Sequence, residues 1–480
     1  MDTQAIRKKI LDLALRGKLT EQLPEDGTGQ QLFQHIQERK AVLAGTGKAK
    51  KQESLIPLTK EDIPFEILDN WQWVRLGDIT AKITSGSTPT GGKKSDAYVD
   101  KGFCFFREQN IYNDGIHSEG MVYITEQLLN TRENSTVIAK DILLNITGGS
   151  IGRCAIVPDD FSKGSINQHI LIIRMVEEET RFFTHLVLCS PYAQNHIKSK
   201  AVGDKDGFSG GRCKYMPVPL PPLPVQKRIV SIIHSAFSVL DTIDTLQSQY
   251  QDNLATLKSK IIDAGIQGKL TEQLPEDGTA EELYQRIQQE KLALEKAGKV
   301  KKSKPLPPIS EEEKPFDIPE NWKWVKLGNV ITLVSGTDFK PEDYNDSGIG
   351  MPYMTGASNI ENDKLIINRW TPCPRNIAYE GDLLLVCKGS GFGKLVICNV
   401  SEAHIARQFM SIRPYYGVDV NYVKAVMINS FQIIKEAGKG LIPGVDRDTV
   451  LNIPLPLPPI AEQKRIVAKQ EELLTLCEKG

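Results

Sequence analysis

The stretch GKLTEQLPEDGT occupies Gly17–Thr28 and returns unchanged at Gly268–Thr279, 251 positions further along a chain of 480 residues. A polar turn containing Pro and Gly, repeated without a change over this length, points to an internal duplication. The same offset relates NWQWVRLGDIT, starting at Asn70, to NWKWVKLGNVIT, starting at Asn321, so the register holds between the two motifs. Further on, KDILLNITGGSIGRCAIV (Lys140–Val157) aligns with GDLLLVCKGSGFGKLVIC (Gly381–Cys398) at an offset of 241. PLPPLPVQKRIV (Pro219–Val230) aligns with PLPPIAEQKRIV (Pro456–Val467) at 237, so the second copy has lost residues from its interior only.

Near-identical flanks therefore enclose divergent middles. Duplication with plain drift would blur flanks and middles alike. A frame built twice around different interiors suggests one platform and two different ligands.

Bulk composition narrows the function classes. A formal net charge of -1 excludes a surface that binds polyanions everywhere, while permitting local basic patches. The N-terminus lacks the apolar run and cleavage site of a secretory signal, and no stretch approaches the roughly 18 consecutive apolar residues of a membrane span. The eight cysteines are scattered, with no CxxC pair and no His nearby at ligand spacing, which predicts reduced thiols, no metal site and a cytoplasmic location. No Gly-Lys is followed by Ser or Thr, so a P-loop is excluded, and Asn-Pro-Pro-Tyr and Asp-Pro-Pro-Tyr are absent. A catalytic centre would need an acid, His or Cys cluster present in both copies. The alignment instead sets His169 opposite Phe409 and leaves His404 without a counterpart, so no catalytic residue is expected.

From Val225 to Ile266 apolar residues recur at steps of three and four: Ile229, Ile232, Ala236, Val239, Ile243, Leu246, Tyr250, Leu254, Leu257 and Ile261. This spacing predicts a coiled-coil seam with one stutter, on a helix starting just after Pro224 and stopping at Gly265 or Gly268. Residues Thr3–Gly17 repeat its back half and Glu462–Gly480 its front half, so the chain ends are expected to supply its partners. If the two end pieces meet, they fall several residues short of the central helix. Two short amphipathic helices, QQLFQHIQERKAVLA and EELYQRIQQEKLALE, precede Lys-rich linkers at Gly45–Ser54 and Lys296–Pro305. Between the frames lie short β-type runs such as DILLNI, HILIIRM, DLLLVCK and FMSIRPYY, with helical signals towards each domain end. The expectation is an α+β protein made of two mixed domains, joined by long antiparallel coiled-coil helices in a pseudo-two-fold repeat. The boundaries fall at 1–20 (a piece of the distal helix), 21–220, 221–268 (the central helix), 269–457 and 458–480.

The interiors hold the candidate binding residues. Each aligned hairpin has a Gly-rich tip bearing a cation: Gly148, Gly149, Ser150 and Arg153 in one copy, Lys388, Gly389, Ser390 and Lys394 in the other. Glycines permit close backbone approach, and a cation beside exposed N–H donors suits a phosphate or a base edge. A tight turn that merely needs Gly is the bland alternative. After each hairpin comes a polar cluster, Asn167, Gln168 and His169 or His404, Arg407 and Gln408, whose side chains suit directional contacts with base edges. Ser85 and Gly86 complete the candidate DNA-binding set.

The doubled domain-opening motif (DNWQWVRLG, PENWKWVKLG), the doubled PLPP–QKRIV exit into a long helix and the GKLTEQLPEDGT that follows it resemble the specificity subunits of type I restriction-modification systems. The resemblance covers nearly the whole chain. It implies a non-catalytic protein with two target-recognition domains, each reading one half of a split double-stranded DNA target about one helical turn from the other. It further implies that the helices dock two methyltransferase subunits, through residues such as Ile229, Ile232, Ile243 and Leu246, and indirectly the restriction subunits. S-adenosylmethionine, ATP and magnesium are then expected on those partners and not on this chain. The rival reading is a coiled-coil interaction scaffold that does not read DNA.

Overall fold

A computed structural model describes residues 1–46, 55–89, 97–200, 207–302, 304–389, 391–437 and 444–479. The chain divides into two compact units, Met1–Gln247 and Ser248–Gly480, each with its own buried apolar core.

The repeated turn builds the same corner in each unit. The helix Thr3–Leu15 stops because Gly17 adopts φ +70°, which lets the amides of Gly17 and Lys18 bond back to the carbonyls of Ala14 and Leu13. Gly268, also at φ +70°, ends the central helix in the same way, through Gly265 and Ala264. Pro24–Asp26 and Pro275–Asp277 then form short 3-10 turns. Thr28 caps the helix Gly29–Gly45 by accepting from the Gln31 amide, and Thr279 caps Ala280–Lys296 through Glu282. These are the two amphipathic helices anticipated from sequence, and they bury Ile36 in one unit and Leu283 and Ile287 in the other. Of the Lys-rich stretch after the first, residues 47–54 lie outside the described residues.

The opening and closing motifs of each unit are zipped together. Gln72–Arg75 pairs antiparallel with Pro217–Leu220, Trp73 facing Pro219. In the second unit Lys323–Lys326 pairs with Pro454–Leu457, Trp324 facing Pro456. The prolines sit in a two-stranded edge ribbon, where the missing N–H disrupts no further ladder. Immediately beyond each ribbon a helix begins, and its arginine reaches back to the repeated turn. Arg228 meets Asp26 at 2.7 Å, and Arg465 meets Asp277 at 2.8 Å. Both carboxylate side chains are only 3% exposed.

Between these closures the two units share one topology. A four-stranded antiparallel sheet runs in the order 154–156, 142–145, 170–175, 80–85 in the first unit and 395–397, 383–386, 409–414, 331–335 in the second. A second sheet in each holds a parallel pair, Phe103–Phe106 with Lys163–Ile166 and Met351–Met354 with Glu402–Ile405. The first unit adds an edge strand, Tyr98–Val99. Each anticipated hairpin is present and is tied at its base to the next strand by an ion pair on a buried carboxylate, Asp141 to Arg174 at 2.7 Å and Asp382 to Arg413 at 2.7 Å.

The central helix spans Leu223–Ile266, 44 residues, with Pro224 tolerated in its first turn. The anticipated seam is corrected by its burial. Ile232, Val239, Leu246, Tyr250 and Leu257 are exposed, while the face that enters the first core carries Val225, Ile229 and Ile233. The helix is apolar on two sides, and steps of three and four do not say which side faces inward. Beyond this shared core it also meets the N-terminal helix through ion pairs: Arg7 pairs with Asp241 at 2.9 Å and Asp244 at 3.1 Å and lies over the Phe237 ring. In the second unit Gln470 donates to Ile262 O and Lys258 pairs with Glu478 on the helix Ile460–Lys479. By length and composition the central helix could cross a membrane, with a mean hydropathy of 1.4 over 18 residues. Its ion-paired carboxylates and its core-facing residues mark it instead as part of the two folded units.

Arg228→Ala would leave the Asp26 carboxylate enclosed and unpaired, and should destabilise the first unit by about 1–3 kcal/mol. Thermal unfolding of Arg228→Ala, Asp26→Ala and the double variant tests this: the double variant should lose less than the sum of the single losses. The Arg228 guanidinium holds Asp26 below the usual carboxylate range, and Arg465 does the same for Asp277. Their stabilisation is therefore complete above the ordinary carboxylate range and is lost as pH falls through the depressed values. Asp26→Asn should accordingly flatten the acid limb of a stability–pH curve.

Candidate nucleic-acid interface

The hairpin tip and the following polar cluster converge in each unit. In the first, the tip leaves the strand Ile142–Asn145, turns through Gly148–Ser150 and re-enters at Cys154. Gly148 and Gly149 are exposed, and an added Cβ at either would meet nothing. The tip is held from beneath by Asn145, which donates to Glu108 O at 2.8 Å and to Ser150 Oγ at 3.2 Å. Arg153, the cation of this tip, lies over the Tyr112 ring, 4.4 Å from its centroid. The Tyr112 ring in turn stacks on His117 at 4.2 Å.

The strand-end cluster sits beside this tip. Thr147 Oγ1 and His169 Nδ1 are 2.6 Å apart, and the Ile146 amide donates to His169 O. Asn167 is buried and positions its neighbours: it donates to Glu108 at 2.7 Å and accepts the His169 amide at 3.0 Å. Burial pushes Glu108 up, but the Asn167 hydrogen bond and its own backbone amide outweigh this and hold it below the usual carboxylate range. Gln168 is exposed, bonded to the Thr88 hydroxyl and, at 3.0 Å, to His169 Nε2.

In the second unit the Cys387 amide donates to Gln408 O, which brings the tip against the cluster again. Lys388 and Lys394 are exposed there, as are Arg407 and Gln408, and Gly389 takes φ +86°, while Ser390 lies outside the described residues. Arg407 is paired with Asp338 at 2.6 Å. His404 must be removed from the candidates. It is fully buried, its Nδ1 accepts the Arg375 and Asn376 amides, its Nε2 donates to Thr337 O at 2.8 Å, and burial lowers its pKa. It is a neutral imidazole holding backbone, its ring tilted by 33° against that of Phe339 with the centroids 4.3 Å apart.

Strand register corrects the sequence alignment by one residue. Ile170 pairs with Asn145 as Phe409 pairs with Val386, so Gln408 and not Phe409 stands where His169 stands. Gln168 and Arg407 then occupy one position of the shared framework, and the buried Asn167 corresponds to Ala406. The residues that brace this position, Thr88 and Asp338, went unnoticed in the sequence. The available signal was the repeated Ser-Gly of SGST (Ser85–Thr88) and SGTD (Ser335–Asp338). Ser85 is exposed at a strand end. Gly86 and Gly336 serve close packing: an added Cβ would lie 2.0 Å from Ile166 O in the first unit and 2.0 Å from Ala406 O in the second.

One thiol–imidazole contact also contradicts the sequence reading, which placed no His near a Cys. His185 and Cys189 lie one helical turn apart, Nε2 to Sγ 3.5 Å. Burial alone would depress the imidazole, but the neighbouring Cys189 sulfur raises it to about 8, while the hydrogen bond from Cys154 helps hold the Cys189 thiol low.

Gly336→Ala should push the strand end at Ala406 outward at a cost of about 1–3 kcal/mol. Hydrogen exchange would show it as faster exchange of the Gly336 and Thr337 amides, which bond Phe409 O at 3.1 Å and Ile405 O at 2.9 Å. Unchanged exchange would refute the close-packing role.

A duplicated platform with clustered polar side chains on paired strand ends has the chemistry of base-edge recognition. Comparison with known proteins identifies the family. The family model described as type I restriction modification DNA specificity domain matches residues 68–250 and 319–479. The specificity subunit of the type I restriction enzyme EcoAI of Escherichia coli is 28% identical over 99% of this chain and 89% of its own length. That of EcoEI, also of Escherichia coli, is 26% identical over 98% and 89%. Among solved structures, a chain from work on complex assembly and conformational transition of a type I R-M system shares the fold with a TM-score of 0.62 at 19% identity, covering 87% of this chain and 93% of that one. The HsdS subunit of Thermoanaerobacter tengcongensis gives 0.50 at 19% identity over the same shares. The chain belongs to the family of type I restriction-modification DNA specificity subunits.

Proposed function

We propose that each unit reads one block of a bipartite duplex DNA sequence in the major groove, and that the long helices carry two methyltransferase subunits and, through them, the restriction subunits. The observation that carries this reading is the pairing of a common framework with exchanged side chains: exposed Gln168 and half-buried His169 in one unit, exposed Arg407 and Gln408 in the other. Glutamine and arginine differ in the base edges they suit, whereas a shared enzymatic site would keep its reactive groups in both copies. The chain itself performs no chemistry in this reading. Methyl donor, ATP and magnesium belong to the partner subunits, and the assembly works in the cytoplasm, where its DNA is. Lys388 and Lys394 beside the second tip supply local positive charge for phosphates that the net charge of -1 does not supply globally.

For the methyltransferase subunits the exposed apolar stripe on the central helix is the surface on offer. Ile232 and Leu246 remain available, Ile243 is half-buried, and Ile229 is withdrawn because it is fully buried in the first core. Leu246→Asp should abolish co-purification of the methyltransferase subunit while leaving the unfolding midpoint nearly unchanged. Ile229→Asp should unfold the first unit.

The direct test is a methylome of cells expressing the cognate methyltransferase with and without this chain. Two short specified blocks separated by unspecified bases, methylated only when the chain is present, are the expected result. Unchanged methylation despite an assembled, active complex would favour a scaffold that does not read DNA.

A further inference from the structure

We propose that Arg407 reads a guanine and that Asp338 is the positioning residue that aims it. The inference rests on the reading of the second unit as a DNA-recognition unit and names the base that this unit selects at one position.

Both oxygens of Asp338 are committed to one residue: Oδ1 accepts the Arg407 backbone amide at 2.9 Å, and Oδ2 accepts Nε at 2.6 Å. Backbone and side chain of Arg407 are thus fixed together. The side chain is nevertheless 71% exposed, and its two terminal Nη groups have no partner among the described residues. What remains pointing outward is a planar fork of two donors. In the major groove guanine presents two adjacent acceptors, O6 and N7, which match that fork, whereas adenine replaces one of them with a donor.

A phosphate also accepts a guanidinium fork, and two observations favour the base. First, the adjacent carboxylate offsets the arginine's charge, which weakens a contact based on attraction to a polyanion but leaves a directional one intact. Burial would raise the Asp338 pKa, but the hydrogen bonds from Arg407 outweigh it and keep the carboxylate ionised. Secondly, the first unit replaces head and brace together. Gln168 stands at the position of Arg407, and Thr88 at that of Asp338, again hydrogen-bonded to each other. A contact to the DNA backbone, common to every sequence, would have no reason to exchange a cation for an amide while the closing Asp–Arg clamps stay the same. A contact that specifies a base would.

The experiment uses the complex of the full chain with its methyltransferase subunits, on duplexes carrying the motif found by methylome sequencing. In the wild-type complex, replacing one particular guanine of one block by 7-deazaguanine, which lacks the N7 acceptor, should slow methylation. Arg407→Ala should slow methylation of the unmodified duplex about ten- to a hundredfold and should no longer respond to that replacement. Asp338→Asn should retain binding but lose much of the preference for guanine at the same position, and Arg407→Gln should move the preference towards adenine. Recognition of the other block in the same molecules reports that the chain is folded. The assignment is overturned if Arg407→Ala weakens binding equally on all sequences, which would mark a phosphate contact, or if no guanine is sensed through N7 in an Arg407-dependent way. Absence of any sequence-dependent methylation by the wild-type complex would instead overturn the DNA-recognition reading, and this assignment with it.

Discussion

The contact on which the rest of each unit depends is the ion pair between the repeated turn and the helix that leaves the domain: Asp26 with Arg228, and Asp277 with Arg465. Each joins segments about two hundred residues apart in sequence, 202 in the first unit and 188 in the second. Such a closure carries a loop-entropy cost that grows only slowly with length, so a long variable interior can be inserted between the clamped ends. The ribbon of Trp-Val and Leu-Pro strands beside it holds the ends in register. The interior can then change, as the extra edge strand of the first unit shows, without the frame having to change.

This division explains what was legible in the sequence. The frame repeats with little change, so its offsets gave the duplication, the two units, the capped helices after each turn and the hairpins of each main sheet. Every apolar run named as a strand is one. Two features were lost for physical reasons. The central helix has apolar residues on both sides, and periodicity alone cannot distinguish the face that meets Ile36 and Leu15 in the first core from the face left in the open. The alignment near the polar clusters slipped by one because strand pairing, which fixes it, joins residues distant in the chain.

The candidate site was legible in part and for the same reasons. Gln168, Arg407 and Gln408 lie exposed where a ligand could reach them, and the Gly-rich tips do meet these clusters. His404 and Asn167 have side chains suited to base edges, but the fold spends that chemistry internally, on backbone amides and on Glu108. The braces Thr88 and Asp338 could not be found from residue type, since neither is unusual in a polar loop. They follow only from the positions of Gly86 and Gly336, where the loop is drawn against the strand end so closely that a side chain would not fit.

That close approach has a consequence for how such a protein can diversify. The loop carrying position 88 or 338 is pinned by glycine to the backbone of the strand end, independently of which side chains face outward. Head and brace therefore sit at a separation set by main chain, and a new pair needs only to bridge that separation: Gln with Thr in one copy, Arg with Asp in the other. A brace also lowers the rotamer freedom that a long polar side chain would otherwise lose on binding, which favours selectivity at little cost in affinity. Substitution of one member alone leaves the other without its partner, so the pair, and not the single residue, is the unit in which a recognition position changes.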